Sequence, residues 1–341
     1  MAEFILSVKN NALGENTMEF HPIETQINYS LLEKSKLAFK KGTREKSIFH
    51  YTSIYGLQGI LSKKTLHFTN INYMNDKDEI IAGLESFSKD IDVSEKQQSE
   101  LRSILSDSQE NVFVCCFSLD NDSLPMWNYY TKEINNQGFN IEFSDKKLVE
   151  SLLRLNPDLD GCNFSFGPVD YSKDNNSEYS RIIFTEIGRI AKDWFSNLLN
   201  PKLTEEEKGN KKRDNFSELP IYFYNGKTCS FDKSSVESFL YYIKRDYFKQ
   251  EQEFRIVITV PKYLLPKLKD KEIYKFRISN GVLVPYLELK FSEEVVKSIT
   301  ISPTVKSDLI ELSIKDFLEY SNFNVQDFST FIKHSEIPVR F

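Results

Sequence analysis

Short runs in which apolar and polar positions alternate recur along the chain, and a period of two marks strands. Ser47-Ile-Phe-His-Tyr-Thr52 is one such run, with Ile48, His50 and Thr52 on one face and Phe49 and Tyr51 on the other. Residues 65–69 alternate as well. Residues 111–117, Asn-Val-Phe-Val-Cys-Cys-Phe, are continuously apolar, as in a strand covered on both faces. Further strands are expected at 138–143, 252–260, 273–278, 282–291 and 296–301, and the tail 337–341 reads as a final one. Helical composition marks 29–41, a segment through Gly56 to Leu61, 77–90, 94–106, 180–199, 236–248 and 306–320. Asp122-Ser-Leu-Pro-Met-Trp127 opens another helix, with cap residues followed by Pro in the first turn.

Strands outnumber the helices between them in the last third, which predicts an α+β fold over a doubly wound parallel sheet. Residues 1–46 form a polar lead-in with one helix, and 1–29 show no sustained period. Residues 47–305 form the core, carrying a helical insertion at 175–248. Within it, 201–217 is crowded with Lys, Glu, Asp and Asn and reads as mobile. Residues 306–341 supply a helix and tail. No internal repeat is visible.

Composition changes this picture little. The 341 residues are 40% hydrophobic and 28% charged, but 13% are aromatic, with 27 Phe and 17 Tyr, so rings must fill much of the core. A net charge of −6 argues against non-specific nucleic-acid binding. Cys115, Cys116, Cys162 and Cys229 form no CxxC pair, which reads as reduced thiols with no metal. No apolar run approaches about 18 residues and no leader-like start is seen, so a cytoplasmic protein without membrane association is expected.

Chemistry concentrates in Glu251-Gln-Glu-Phe-Arg255. On a strand, Glu251, Glu253 and Arg255 would share one face, opposite Phe254 and Ile256. A solvated strand face would look identical. A lone His in an aromatic strand is usually a hydrogen-bonded core residue, so His50 reads first as that and second as a site residue. Asp76 and Glu79 fit either a helix-capping signature or two cation ligands. Trp127 and Tyr130, three apart on a helix, fit core packing as well as a ligand wall. Tyr73 lies in a loop where a ring could line a pocket. No P-loop, GxGxxG, HExxH or GxSxG motif is present.

The order of these segments carries a resemblance. His50-Tyr-Thr, Asn75-Asp76-x-x-Glu79, Phe117-Ser118, Met126-Trp127-x-x-Tyr130 and Glu251-x-Glu-Phe-Arg255 resemble a bacterial family of unknown function with HYT, NDxxE, FS, MWxxY and ExExR motifs. That family is distantly similar to the ADP-ribosyltransferase fold. The resemblance implies a central split, mostly antiparallel sheet flanked by helices. It implies NAD as the substrate, with Glu253 catalytic, His50 holding the nicotinamide ribose and Glu251 serving the acceptor. Tyr73 would stack on nicotinamide, and Tyr51, Thr52, Ser118, Trp127, Tyr130 and Arg255 would line the cofactor. The implied function is an ADP-ribosyltransferase or NAD glycohydrolase, suited to a toxin or phage-defence effector; the acceptor could be protein, nucleic acid or water. Two other classes stay open on the residues: a non-catalytic binding or regulatory protein on the same fold, and a metal-dependent nuclease or phosphodiesterase using Asp76, Glu79, Glu251 and Glu253.

Overall fold

A computed structural model describes residues 5–10, 16–21, 27–28, 45–74, 111–131, 138–169, 171, 222–224, 227–230, 241–242, 244, 246–279 and 281–338. The helices expected at 29–41, 77–90, 94–106 and 180–199, and the charged segment 201–217, lie outside these residues. The chain divides into two units. One comprises Met1–Gln26, Met74–Glu110 and Ser165–Tyr247, the other Ile27–Tyr73, Asn111–Phe164 and Phe248–Phe341.

In the first unit, β1 (Ile5–Asn10), β2 (Asn16–His21), β9 (Tyr222–Tyr224) and β10 (Lys227–Ser230) form one sheet in the order β1-β2-β10-β9. β1 and β2 thus stand where a patternless lead-in was expected. Strand pairing is set by main-chain partners, and β2 runs parallel to β10, some 200 residues later, a relationship no local periodicity encodes.

The second unit carries a larger mixed sheet, mostly antiparallel. Its strands are β4 (Ser47–Ser53), β5 (Thr65–Asn70), β6 (Val112–Ser118), β7 (Gly138–Ser144), β11 (Glu253–Thr259), β12 (Tyr274–Ser279), β13 (Val282–Lys290), β14 (Val296–Ile301) and β15 (Ile332–His334). The two-residue β3 (Ile27–Asn28) pairs with the start of β8 (Asn163–Pro168). Helices are α1 (Ile54–Lys63), α2 (Leu124–Tyr130), α3 (Asp145–Leu155), α4 (Leu265–Asp270), α5 (Ile310–Tyr320) and α6 (Phe328–Phe331).

β6 is the hub, and its pattern explains why. Val112, Phe113, Val114, Cys115 and Phe117 are all buried, so neither face can meet water. β11 runs antiparallel along one whole edge, from Glu253 opposite Ser118 to Thr259 opposite Val112. The other edge is shared. β5 takes its start, with Thr69 opposite Val114 and Asn70 opposite Phe113. β4 takes its end, with Phe49 opposite Ser118. The sheet therefore forks on this edge into β4-β7-β14-β15 and β5-β13-β12.

Local chemistry fixes the strand-to-helix turn after β4. Ser53 caps α1, its hydroxyl accepting from the Gly56 amide at 3.2 Å. A Cβ at Gly56 would stand 1.9 Å from Thr52 Oγ1, so any side chain here forces Thr52 to move. The apolar side of α3, with Leu148, Val149 and Leu152, is fully buried. The sequence reading passed over α3, whose Lys146, Lys147 and Glu150 masked its apolar spacing.

Two expected elements differ. The segment expected as a helix through 248 holds a 3-10 stretch at Asp246–Glu251. Among the described residues the last strand is Ile332–His334, parallel to β14; of the tail expected as a strand, 337 and 338 are not in one and 339–341 lie outside the described residues. Among the described residues no helix is long and apolar enough to cross a membrane.

Candidate functional site

The fork gathers most of the residues singled out by sequence. Beyond the Phe49–Ser118 pair, β4 leaves β6, and β5 joins only at Val114. The carbonyl of Cys116 falls in the gap, and His50 Nδ1 lies 3.0 Å from it. A carbonyl oxygen can only accept, so Nδ1 carries the proton. Burial pushes the His50 pKa below the ordinary imidazole value, partly offset by that hydrogen bond and reinforced by the positive charge of Arg277. The imidazole is thus neutral at neutral pH, leaving Nε2 as an acceptor. Its ring meets Phe117 edge-on, with centroids 5.5 Å apart.

Glu253 stands across β6 from this point. Phe49, Ser118 and Glu253 are in register across three adjacent strands. Strict alternation therefore puts Glu253 on the Phe49 face and His50 on the opposite one. Both nevertheless touch Cys116, His50 through its carbonyl and Glu253 by a hydrogen bond with its thiol. Arg255 holds Glu253 by two bonds, Nε to Oε1 at 2.7 Å and an Nη to Oε2 at 3.0 Å. The pair is sealed in, with Glu253 4% and Arg255 1% exposed.

Glu251 does not share that strand. Gln252 adopts φ +42°, and this left-handed residue ends the 3-10 stretch and starts β11 at Glu253. The expected common face of Glu251, Glu253 and Arg255 is therefore broken after its first member. Glu251 instead accepts from Tyr130 Oη at 3.3 Å, and its carbonyl accepts from Ser118 Oγ at 2.7 Å. Ser118 spends its hydroxyl tying β6 to the turn before β11.

Tyr51 and Trp127 make a wall behind the fork. Their rings meet edge-to-face at 4.6 Å, in a cluster with Phe49 and Met126. Tyr51 Oη donates to the Asp120 carbonyl at 2.9 Å and accepts from the Ser123 amide at 3.0 Å. Trp127 Nε1 donates to Asp122 at 2.8 Å. Both are buried, which makes them supports of the site. Thr52 is also buried, beneath Gly56. Tyr73 is 44% exposed on a 3-10 turn after β5. Asp76 and Glu79 lie outside the described residues. Among the described residues no group of three or more His, Cys, Asp or Glu could hold a metal ion.

Cys116, read from the sequence as a reduced thiol, lies at the fork and touches both His50 and Glu253.

Fold and site together define an α+β protein with a forked, mostly antiparallel sheet. Residues 126–256, less than half of the chain, match the model of the family described as "Protein of unknown function (DUF2971)". The matched span opens on Met126-Trp127 and closes one residue past Arg255; it takes in α2 from its third residue and the Glu253–Arg255 pair, and leaves out His50. No curated protein and no solved structure matches the chain.

Proposed function

We propose that the chain is an NAD-dependent ADP-ribosyltransferase or NAD glycohydrolase, with NAD entering at the fork of the sheet. The observation that carries this reading is the Glu253 carboxylate, fixed at both oxygens by Arg255 and in register with Ser118 at the end of β6, where β4 parts from it. The split sheet and the order of motifs agree with it.

The chemistry balances with these groups. The bond between nicotinamide nitrogen and ribose C1′ breaks, and its electron pair leaves with nicotinamide. The ribose gains oxocarbenium character, which a fixed carboxylate such as Glu253 stabilises. His50, on the other face, supports the fork by holding the Cys116 carbonyl. The acceptor oxygen then bonds to C1′ and gives its proton to Glu251 or water. Arg255 fixes both Glu253 oxygens, so the carboxylate is oriented before substrate arrives.

The same ion pair favours a second reading. A carboxylate gripped at both oxygens and 4% exposed is also what a structural pair looks like. On that reading the protein binds without cleaving. Labelled NAD incubated with purified protein and cell lysate separates the two. Label transfer or nicotinamide release by wild type, lost in Glu253→Gln of unchanged circular dichroism, supports the enzyme. NAD binding unaccompanied by either product supports the second reading, and no NAD binding removes both.

A further inference from the structure

β12 ends one side of the larger sheet, with β13 on its inner side and no strand beyond it among the described residues. It pairs with β13 without a break, from Tyr274 opposite Leu287 to Ser279 opposite Val282, and contains no proline. An edge of that kind is an open template for another strand unless something blunts it. Its one lysine, Lys275, is bound to Glu288.

The register says which main-chain groups are open. The Glu288 amide donates to the Ile273 carbonyl at 2.9 Å, so residues 273 and 288 bond across the ladder. Antiparallel pairs alternate between bonded and non-bonded, so Tyr274, Phe276 and Ile278 turn their N–H and C=O groups outward. Pro285 agrees, since it lies opposite Phe276 and has no amide to give. The side chains of the same three residues continue the buried face. Leu287, opposite Tyr274, is fully buried, but Phe276 is 57% and Ile278 78% exposed, with Leu283 opposite Ile278 at 63%. The core face thus runs out at the edge into open apolar surface.

The opposite face is basic. Lys275 and Arg277 stand on it with Tyr286 and Glu288. Glu288 already takes Lys275 and has Lys63 Nζ at 3.6 Å. Arg277 gives one Nη to Thr69 Oγ1 at 2.9 Å, and among the described residues no carboxylate pairs with it. A strand laid against β12 therefore meets apolar side chains on one face and uncompensated positive charge on the other. A second copy of this chain fits poorly. Two-fold pairing centred on Phe276 sets Lys275 against Arg277, and pairing centred on Arg277 sets it against itself. A segment in which apolar and acidic residues alternate suits both faces.

We propose that the free edge of β12 is a docking site for such an extended protein segment, added antiparallel as a further strand. Its apolar residues bond to the main chain of Tyr274, Phe276 and Ile278 and cover the exposed side chains, and its acidic residues face Lys275 and Arg277. The site is separate from the reaction proposed at the fork and stands without it. The probe is a fluorescein-labelled peptide of alternating Val and Glu, read by anisotropy against the full chain at low salt. Saturable binding is expected, weaker by about ten-fold or more when Lys replaces Glu in the peptide or when the protein carries Arg277→Glu, since like charges then meet. In antiparallel addition the Val amides face β12, so N-methylating them should abolish binding, while N-methylating the Glu amides should leave it. Phe276→Pro removes an outward amide without touching the ladder to β13, and should abolish binding with unchanged circular dichroism. No binding by wild type, equal binding of the Glu and Lys peptides, or equal effects of the two methylations overturns the site. Self-association of wild type in sedimentation equilibrium that Phe276→Pro removes also overturns it, and gives the edge to a second copy.

Discussion

The imidazole of His50 reaches the main-chain carbonyl of Cys116 across 3.0 Å, at the point where β4 parts from β6. A side chain there does what a neighbouring strand would otherwise do, satisfying a carbonyl that the fork leaves without a ladder partner. The same contact fixes the tautomer and turns Nε2 into the ring's only acceptor.

That histidine makes stability depend on pH in a definite sense. Burial is the main cause that holds the pKa of His50, and of His67, below the ordinary value. As pH falls, the unfolded chain takes up these protons first, beginning near about 6.5. Stability is therefore full above that value and declines below it, levelling only beneath the folded pKa values. The urea midpoint should fall between pH 7.5 and 5, with a shallower fall in His50→Gln. A midpoint that rises over this window contradicts the assignment of a neutral, buried ring.

Glu253 and Arg255 behave as one unit. Removing either partner leaves a buried charge with its main counter-charge gone, at a cost of about 3–5 kcal/mol. Arg255→Ala should show that loss in chemical denaturation. The double variant Glu253→Leu, Arg255→Leu should recover much of it. Independent, additive losses would mean that the two side chains are not coupled as the structure has them.

Tyr51 holds two main-chain groups, the Asp120 carbonyl and the Ser123 amide, at the head of α2. Tyr51→Phe keeps the packing on Trp127 and removes both bonds. It should destabilise the fold by about 1–3 kcal/mol and leave any KM for NAD within two-fold. A large KM effect with unchanged stability would move Tyr51 from support to ligand contact.

Burial also governs the thiols. It pushes Cys115 and Cys162 up to about 12 and raises Cys116 well above its ordinary value. Peptide mapping after brief iodoacetamide treatment at pH 8 should find these three unmodified in native protein and modified in denaturant. Rapid native labelling of Cys116 would show an open, thiolate-bearing fork.

The strands around the site were legible because their patterns are strong. β14 spans the residues expected, and the run that became β6 had to be central because it offers no polar face. The Phe49/Tyr51 and His50 alternation in β4 was readable too. The break at Gln252 was not: a single left-handed φ moved Glu251 off the strand, and Gln carries no signal for that conformation. The fork itself was invisible from the residues, since it depends on β4 and β5 sharing one edge of a strand more than 40 residues further on.

The reaction is tested most directly by nicotinamide release from NAD with purified protein, comparing wild type with Glu253→Gln and His50→Gln whose folded state has been verified. Time-dependent release by wild type is expected, with a fall of about 100-fold or more in kcat for Glu253→Gln, the scale of losing an electrostatic contact to developing charge. His50→Gln should retain most of the activity, since His50 acts by supporting the Cys116 carbonyl on the face away from Glu253. Release at the wild-type rate by folded Glu253→Gln, or none from wild type under any condition in which NAD binds, would contradict the account.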